Sequence, residues 1–350
     1  MIAARPTVEA LERYVAPLEG RRGLLRLDFN ENTLGPSARV LEAIRALPAE
    51  AYATYPEYAG LEAAFAQSIG LLREQVAVFN GADGAIRAIF DAFGEPGSVF
   101  LTTRPTFGYY QPCAKISGMS IRSVPYEADL SFPWAGLRDE LAARPRICFI
   151  CNPNNPTSTL VKAERLVALA REYSETLFVI DEIYEPFTRE SVLPSATGVP
   201  NLLALRSLSK GAGLAALRIG FACGAPALVE RAFRVTGPYD INAFAVVATR
   251  AALDDPGHTN AYLAEVDAAK AWTLAELTRL GLRHFHQGGN YLLVWPGRDV
   301  QSVEAALREQ GILVRSMAGK PLIDGSFRLS VGTRSQMQRF CAALAAITST

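Results

Sequence analysis

Lysine, histidine and cysteine are scarce in this chain, neither sign of charge is in excess, and long apolar runs are missing. The 35 basic residues balance 35 acidic ones. A net charge of zero, with no run of one sign, lacks the footprint of a nucleic-acid or anionic-membrane binder. No apolar stretch approaches the roughly 20 residues that span a bilayer. Met1 to Tyr14 carries Arg5, Glu9, Glu12 and Arg13 where a signal peptide needs an apolar run. Small-molecule chemistry in the cytoplasm, with no nucleic acid and no membrane, is therefore expected. Five cysteines (Cys113, Cys148, Cys151, Cys223, Cys341) are too few and too odd a set for a disulfide framework. Cys148 and Cys151 spell Cys-x-x-Cys, but in an apolar strand-like run positions three apart face opposite sides. The three histidines, His258, His284 and His286, have no companion ligands, so no metal site is expected.

The lysine shortage carries information of its own. Only Lys115, Lys162, Lys210, Lys270 and Lys320 are lysine, so 30 of the 35 basic residues are arginine. Arginine stays protonated and cannot form an imine, so a lysine in a chemically crowded segment invites attention.

The 350 residues, 49% hydrophobic, suffice for one or two domains. Val76–Phe79, a Gly-Ala-Asp-Gly turn and the helically spaced 85–93 read as strand, turn, helix. Buried-strand runs recur at 98–102, 146–151, 177–180 and 202–205, with helix-like segments such as 163–173 between some of them. Strands alternating with helices indicate a doubly wound α/β sheet. From about Phe244 the pattern changes to a long helix (260–280), a strand at 291–295, a helix near 303–309 and strands at 312–315 and 327–331, a smaller α+β domain.

Four segments carry chemistry. Lys210 stands just past a buried run with Ser207 and Ser209 before it. Ligands bind at the carboxyl ends of such strands, and desolvation there lowers a lysine toward the free amine that a Schiff base needs; a solvated loop lysine is the plain alternative. Asp181 ends an apolar strand with Tyr184 three residues on. A buried carboxylate needs a cationic partner, such as the pyridinium nitrogen of pyridoxal phosphate, unless it caps a helix. Asn152-Pro-Asn-Asn-Pro-Thr157 is an irregular turn that aims Asn155. The amides of Ala82 and Asp83, opening a helix, offer an anion site without any dinucleotide or phosphate-loop fingerprint.

In this order the segments resemble the fold-type I pyridoxal-phosphate enzymes, aminotransferase class I/II, and within them the histidinol-phosphate aminotransferase branch. The resemblance runs from Leu27-Asp-Phe-Asn-Glu-Asn-Thr-Leu-Gly-Pro36 through Tyr55-Pro56, Pro105–Tyr110, Asn152–Thr157, Asp181–Tyr184 and Ser207–Gly220 to Gly311–Arg315 and Phe327–Thr333. It implies an α/β fold in which a large domain, with a mainly parallel seven-stranded sheet flanked by helices, joins a smaller α+β domain. The expected division is an arm and part of the small domain at 1–35, the large domain at 36–243 and the small domain at 244–350. Pyridoxal phosphate is the implied cofactor. Lys210 would carry it, Asp181 would face the ring nitrogen, and Asn155 and Tyr184 would donate to the phenolic oxygen. Phe107 would stack on the ring, while Arg218, Ser207, Ser209 and the amides of Ala82 and Asp83 hold the phosphate. Arg328 would grip a substrate carboxylate and Arg315 a substrate phosphate, with Asn30 and Leu34 near the substrate. Tyr55 would reach the cofactor phosphate of the neighbouring subunit, which implies a homodimer with shared active sites.

The implied activity is amino transfer from an amino donor to a 2-oxo acid, with histidinol phosphate and 2-oxoglutarate as the obvious pair. A threonine-phosphate decarboxylase, an aminotransferase for an aromatic or other amino acid, and a pyridoxal-binding regulator are the alternatives. The last would need a DNA-binding domain, which the roughly 30 residues before Asn30 are too few and too weakly basic to supply. Three departures stand out: Ser158 where the family has glycine, Leu34 where the branch has tyrosine, and Arg104 in place of an acidic residue.

Overall fold

The structure is a computed structural model of the chain, and it describes residues 2–12 and 17–349. After the N-terminal segment, β1 (Leu25–Arg26) pairs in parallel with β11 (Ile312–Leu313). The main sheet has seven strands: β2 (Val76–Asn80), β3 (Val99–Arg104), β4 (Ser120–Pro125), β5 (Ile147–Cys151), β6 (Leu177–Asp181), β7 (Leu202–Ser207) and β8 (Ile219–Gly224). Their order is β2-β8-β7-β6-β5-β3-β4, and only β8 runs antiparallel to its neighbours. The strands at 147–151 and 177–181 are buried at every position, the signature of parallel strands covered on both faces. One apolar layer holds Cys148 and Ile150 and the other holds Phe149 and Cys151, so the Cys-x-x-Cys pair is split across the sheet as its spacing requires. Among the described residues no group of His, Cys, Asp and Glu could hold a metal, and no helix is long and apolar enough to cross a membrane.

Two strands escape a reading of apolar runs. β4 alternates exposed and half-buried residues at the sheet edge, and β8 lies within the segment that reads as a chemical motif. The expected helices appear at Ala163–Glu172, Pro256–Arg279 and Val300–Glu309, the last capped by the Asp299 carboxylate accepting from the Ser302 amide at 2.8 Å.

The smaller sheet has the order β12-β13-β10-β9, from β9 (Arg283–Phe285), β10 (Tyr291–Trp295), β12 (Arg315–Ser316) and β13 (Phe327–Ser330). The run 312–315, expected as one strand, breaks at Val314. Its first half joins β1 and its second half joins β13. Ile312, Leu313 and Val314 are buried, and an arginine cannot follow them into the core without a partner, so the chain turns Arg315 out onto another sheet. Helix Ala243–Leu253 packs against helices Ala38–Arg45 and Ala59–Ser68. On that packing we propose that the small unit begins near Pro256 rather than at 244.

The carboxyl ends of β2, β3, β5, β6 and β7 and the start of β8 share one edge of the large sheet. At this edge the backbone of β8 presses against the first turn of helix Gly81–Phe93. A Cβ built on Gly220 would stand 2.3 Å from the Ala82 nitrogen and 2.4 Å from the Gly81 carbonyl carbon. Neither obstacle is a flexible side chain, so glycine is required. Gly220→Ala should lower the urea midpoint by an amount equivalent to about 1–3 kcal/mol, the usual range for overpacking, and weaken binding of an anion at Ala82. An unchanged midpoint would contradict the close approach.

Candidate active site

A cavity of about 530 Å³ opens at that sheet edge, between the large sheet and the small one. Its lining includes Ala82, Asp83, Phe107, Asn155, Asp181, Tyr184, Ser207, Ser209, Lys210, Arg218, Arg315 and Arg328, twelve of the fifteen expected site residues. Lys210 is half-buried within it and donates from Nζ to the Phe29 carbonyl oxygen at 2.9 Å. Burial first, and then the positive charge of Arg328, push its amine down to about 8. The amine is desolvated and hydrogen-bonded inside the cavity rather than held in a solvated loop.

Asp181 ends β6 and is fully buried. One oxygen accepts the Tyr110 hydroxyl at 2.6 Å, and the other receives only the Ile183 amide at 3.3 Å. Burial raises the carboxyl to about 6, against the Tyr110 and Ile183 hydrogen bonds that favour its charge. Tyr184 accepts from Asn30 Nδ2 at 3.0 Å and from Asn155 Nδ2 at 3.3 Å, so its own hydrogen remains available to donate. The Asn155 Oδ1 accepts in turn from Arg328, which also donates to the Asp28 carbonyl.

At another side of the cavity, helix Gly81–Phe93 begins without a side-chain cap from Asn80. Its first-turn amides therefore have no intrahelical acceptor, and the helix dipole favours an anion there. Ser207 donates to Ser209 Oγ at 2.9 Å beside this turn. Arg218 stands at a left-handed φ of 56°, ion-paired to Asp83 at 2.9 Å, and its carbonyl accepts the Gly81 amide. A Cβ on Gly81 would displace the flexible Arg218 guanidinium, and the left-handed φ of 73° at Gly81 favours glycine there. An amine, a buried carboxylate, a ring over the cavity at Phe107 and a phosphate-type cradle together form a donor set that fits pyridoxal phosphate.

The model of the family described as aminotransferase class I and II matches residues 22–344. The chain belongs to this family. A curated member, histidinol-phosphate aminotransferase 1 of Trichormus variabilis, is 33% identical over 337 residues, 95% of each chain. A histidinol-phosphate aminotransferase of Sinorhizobium meliloti, crystallised with pyridoxal 5'-phosphate, superposes with a TM-score of 0.89 at 25% identity, covering 98% of this chain and 97% of its own. An L-threonine-O-3-phosphate decarboxylase of Porphyromonas gingivalis shares the fold, with a TM-score of 0.83 at 23% identity, covering 93% of this chain and 100% of its own.

Three expected residues of this family member do not line its own cavity. Asn30 lies directly behind it, fully buried at a left-handed φ of 55° that asparagine tolerates, and it supports Tyr184. Leu34 is 56% exposed and Tyr55 is 73% exposed, the latter stacked on Tyr239 at 3.9 Å. Arg104, too, is exposed, at the end of β3. Ser158 keeps a left-handed φ of 69°, a conformation that favours glycine. Its hydroxyl donates to the Gly288 carbonyl at 2.8 Å and accepts from the Gln287 and Gly288 amides at 2.9 and 3.0 Å, which ties the Asn155 turn to the segment before β10.

The segment Pro105–Tyr110 ends at Tyr110 without giving it a role, and no motif covers Lys320, which only the rarity of lysine marked. Protein freed of cofactor, mixed with pyridoxal phosphate and quenched with borohydride, should be labelled at Lys210 at a rate that rises with pH and is half-maximal near 8. Half-maximal labelling at the ordinary lysine value, or labelling of another lysine, would refute the assignment.

Proposed function

We propose that the protein is a pyridoxal-phosphate-dependent histidinol-phosphate:2-oxoglutarate aminotransferase. The observation that carries this is the opposition of Arg315 and Arg328 on neighbouring strands, both facing the cavity that holds Lys210. Two adjacent guanidinium groups suit a substrate end bearing two negative charges. Histidinol phosphate has such an end, and the curated relative named for that substrate is alike over nearly its whole length.

In this reading Lys210 would hold the cofactor, and its amine would move the proton at the substrate α-carbon. Bound pyridoxal phosphate supplies the electron sink for the carbanion. Asp181 keeps the ring nitrogen protonated, Tyr184 and Asn155 donate to the phenolic oxygen, and Phe107 stacks on the ring. Ser207, Ser209, Arg218 and the amides of Ala82 and Asp83 hold the cofactor phosphate. Arg328 orients the carboxylate of the 2-oxo acid and, with histidinol phosphate, which has no carboxylate, joins Arg315 on the substrate phosphate. The exposed Tyr55 and Leu34, with the neighbouring exposed Tyr239, support a homodimer in which Tyr55 completes the partner's site.

The threonine-phosphate decarboxylase reading shares this fold and also takes a phosphate, so the products decide. With the holoenzyme, histidinol phosphate should convert the cofactor spectrum to the amino form and give a ketone without carbon dioxide release. Arg315→Ala should raise KM for histidinol phosphate by about 10- to 100-fold, as expected from roughly 1.5–3 kcal/mol for a charge-assisted hydrogen bond. Carbon dioxide from threonine phosphate, or no turnover of any phosphorylated amine, would reject the assignment.

A further inference from the structure

The antiparallel register of β12 and β13 sets Arg315 directly opposite Arg328. Like charges in that position destabilise a strand pair. The chain then adds a third cation. After β12 the turn Met317–Ile323 folds back, with the Lys320 amide donating to the Met317 carbonyl at 3.1 Å and the Ile323 amide to the Lys320 carbonyl at 3.3 Å. Asp324 fixes the turn by accepting the Gly319 amide at 2.7 Å and the Gly325 amide at 2.9 Å. In consequence Lys320 lines the cavity together with Arg315 and Arg328. Lys320 is exposed at the cavity wall, and partial desolvation and then those two arginines disfavour its ammonium.

The acidic groups of the cavity are engaged elsewhere. Glu31 is held by Arg21 at 2.8 Å and Arg26 at 3.2 Å, Asp83 by Arg218 at 2.9 Å, and Asp181 by the Tyr110 hydroxyl. Among the described residues neither the Arg315 nor the Lys320 side chain makes a hydrogen bond or ion pair. A third positive charge at this wall has no protein counter-ion, and a carboxylate ligand brings only one negative charge. A phosphate monoester, with its second pKa near 6, brings nearly two.

We propose that Lys320 is a specificity-determining residue, the third cation of a subsite that selects a phosphate monoester dianion over a singly charged or neutral substrate end. The inference rests on the reading that the amino donor is phosphorylated. Lysine suits this position because a compact charge with three rotatable donors on a flexible stem can follow a tetrahedral phosphate, which a planar guanidinium cannot do as freely. Lys320 is a binding group and takes no proton from the substrate, so its loss appears in KM.

The test is the ratio of kcat/KM for histidinol phosphate to that for unphosphorylated histidinol, measured on holoenzyme. Lys320→Gln should lower this ratio about tenfold through KM with kcat for the phosphorylated donor kept within about twofold, and Lys320→Arg should restore most of it. A ratio unchanged in Lys320→Gln, or a loss confined to kcat, overturns the proposal. Wild-type holoenzyme with no preference for the phosphorylated donor defeats the functional reading itself. The subsite is then judged by inorganic phosphate as a competitive inhibitor against whichever amino donor is used. A Ki at least fivefold weaker in Lys320→Gln upholds the anion subsite without that substrate, and an equal Ki overturns it.

Discussion

A lysine amine must be buried at the edge of a sheet and still be left usable, and the rest of the site depends on how this is done. Desolvation is the largest influence on Lys210, and its single hydrogen bond runs to the carbonyl of Phe29, 181 residues earlier in the chain. The N-terminal segment that offers this carbonyl is itself held from several directions. The Leu27 amide donates to the Leu313 carbonyl, the Ser330 amide to the Leu27 carbonyl, and Asn32 Nδ2 to the Gly211 carbonyl at 2.9 Å. Large sheet, small sheet and N-terminal segment thus meet at one amine, and loosening any of the three changes its environment.

Asp181 faces the converse problem. Burial raises its carboxyl while it lowers the amine of Lys210, so the two groups are driven toward neutrality from opposite sides. Titratable pairs displaced in this way mark sites where protons are moved. A cationic ring nitrogen set against Asp181, as proposed above, would offset the cost of its charge.

The large sheet was legible because strands buried on both faces read as continuous apolar runs, and the cofactor side because a lysine stands out among arginines. What was not legible depends on contacts between distant parts of the chain. The edge strand β4 buries too little for its pattern to stand out, and β8 is masked by the chemical motif that overlaps it. The break at Val314 follows from a competition between two sheets that no local pattern records. Asn30 lies next to the motif tyrosine only because Ser330 and Asn290 hold it there: Ser330 Oγ accepts its amide, and Asn290 Nδ2 donates to its carbonyl. Tyr55 and Leu34 stand exposed on the surface, away from the cavity that the other motif residues line.

The charge of the cavity wall also depends on residues outside it. Glu31 lines the cavity, and left unpaired it would compensate the cations opposite. Arg21, which binds Asp28 and Glu31 together and sits over the Phe29 ring at 4.1 Å, engages that carboxylate with Arg26 and holds it below the usual carboxylate range. Half-buried ion pairs of this kind add little to stability, so their worth here lies in where they leave the remaining charge. With Glu31 paired to arginines outside the wall, the charges of Arg315 and Lys320 are left uncompensated by it and favour an anionic ligand. The like-charge cost across β12 and β13 is carried by the free enzyme and relieved when an anion binds, so the same electrostatics that weaken the small sheet strengthen its hold on substrate.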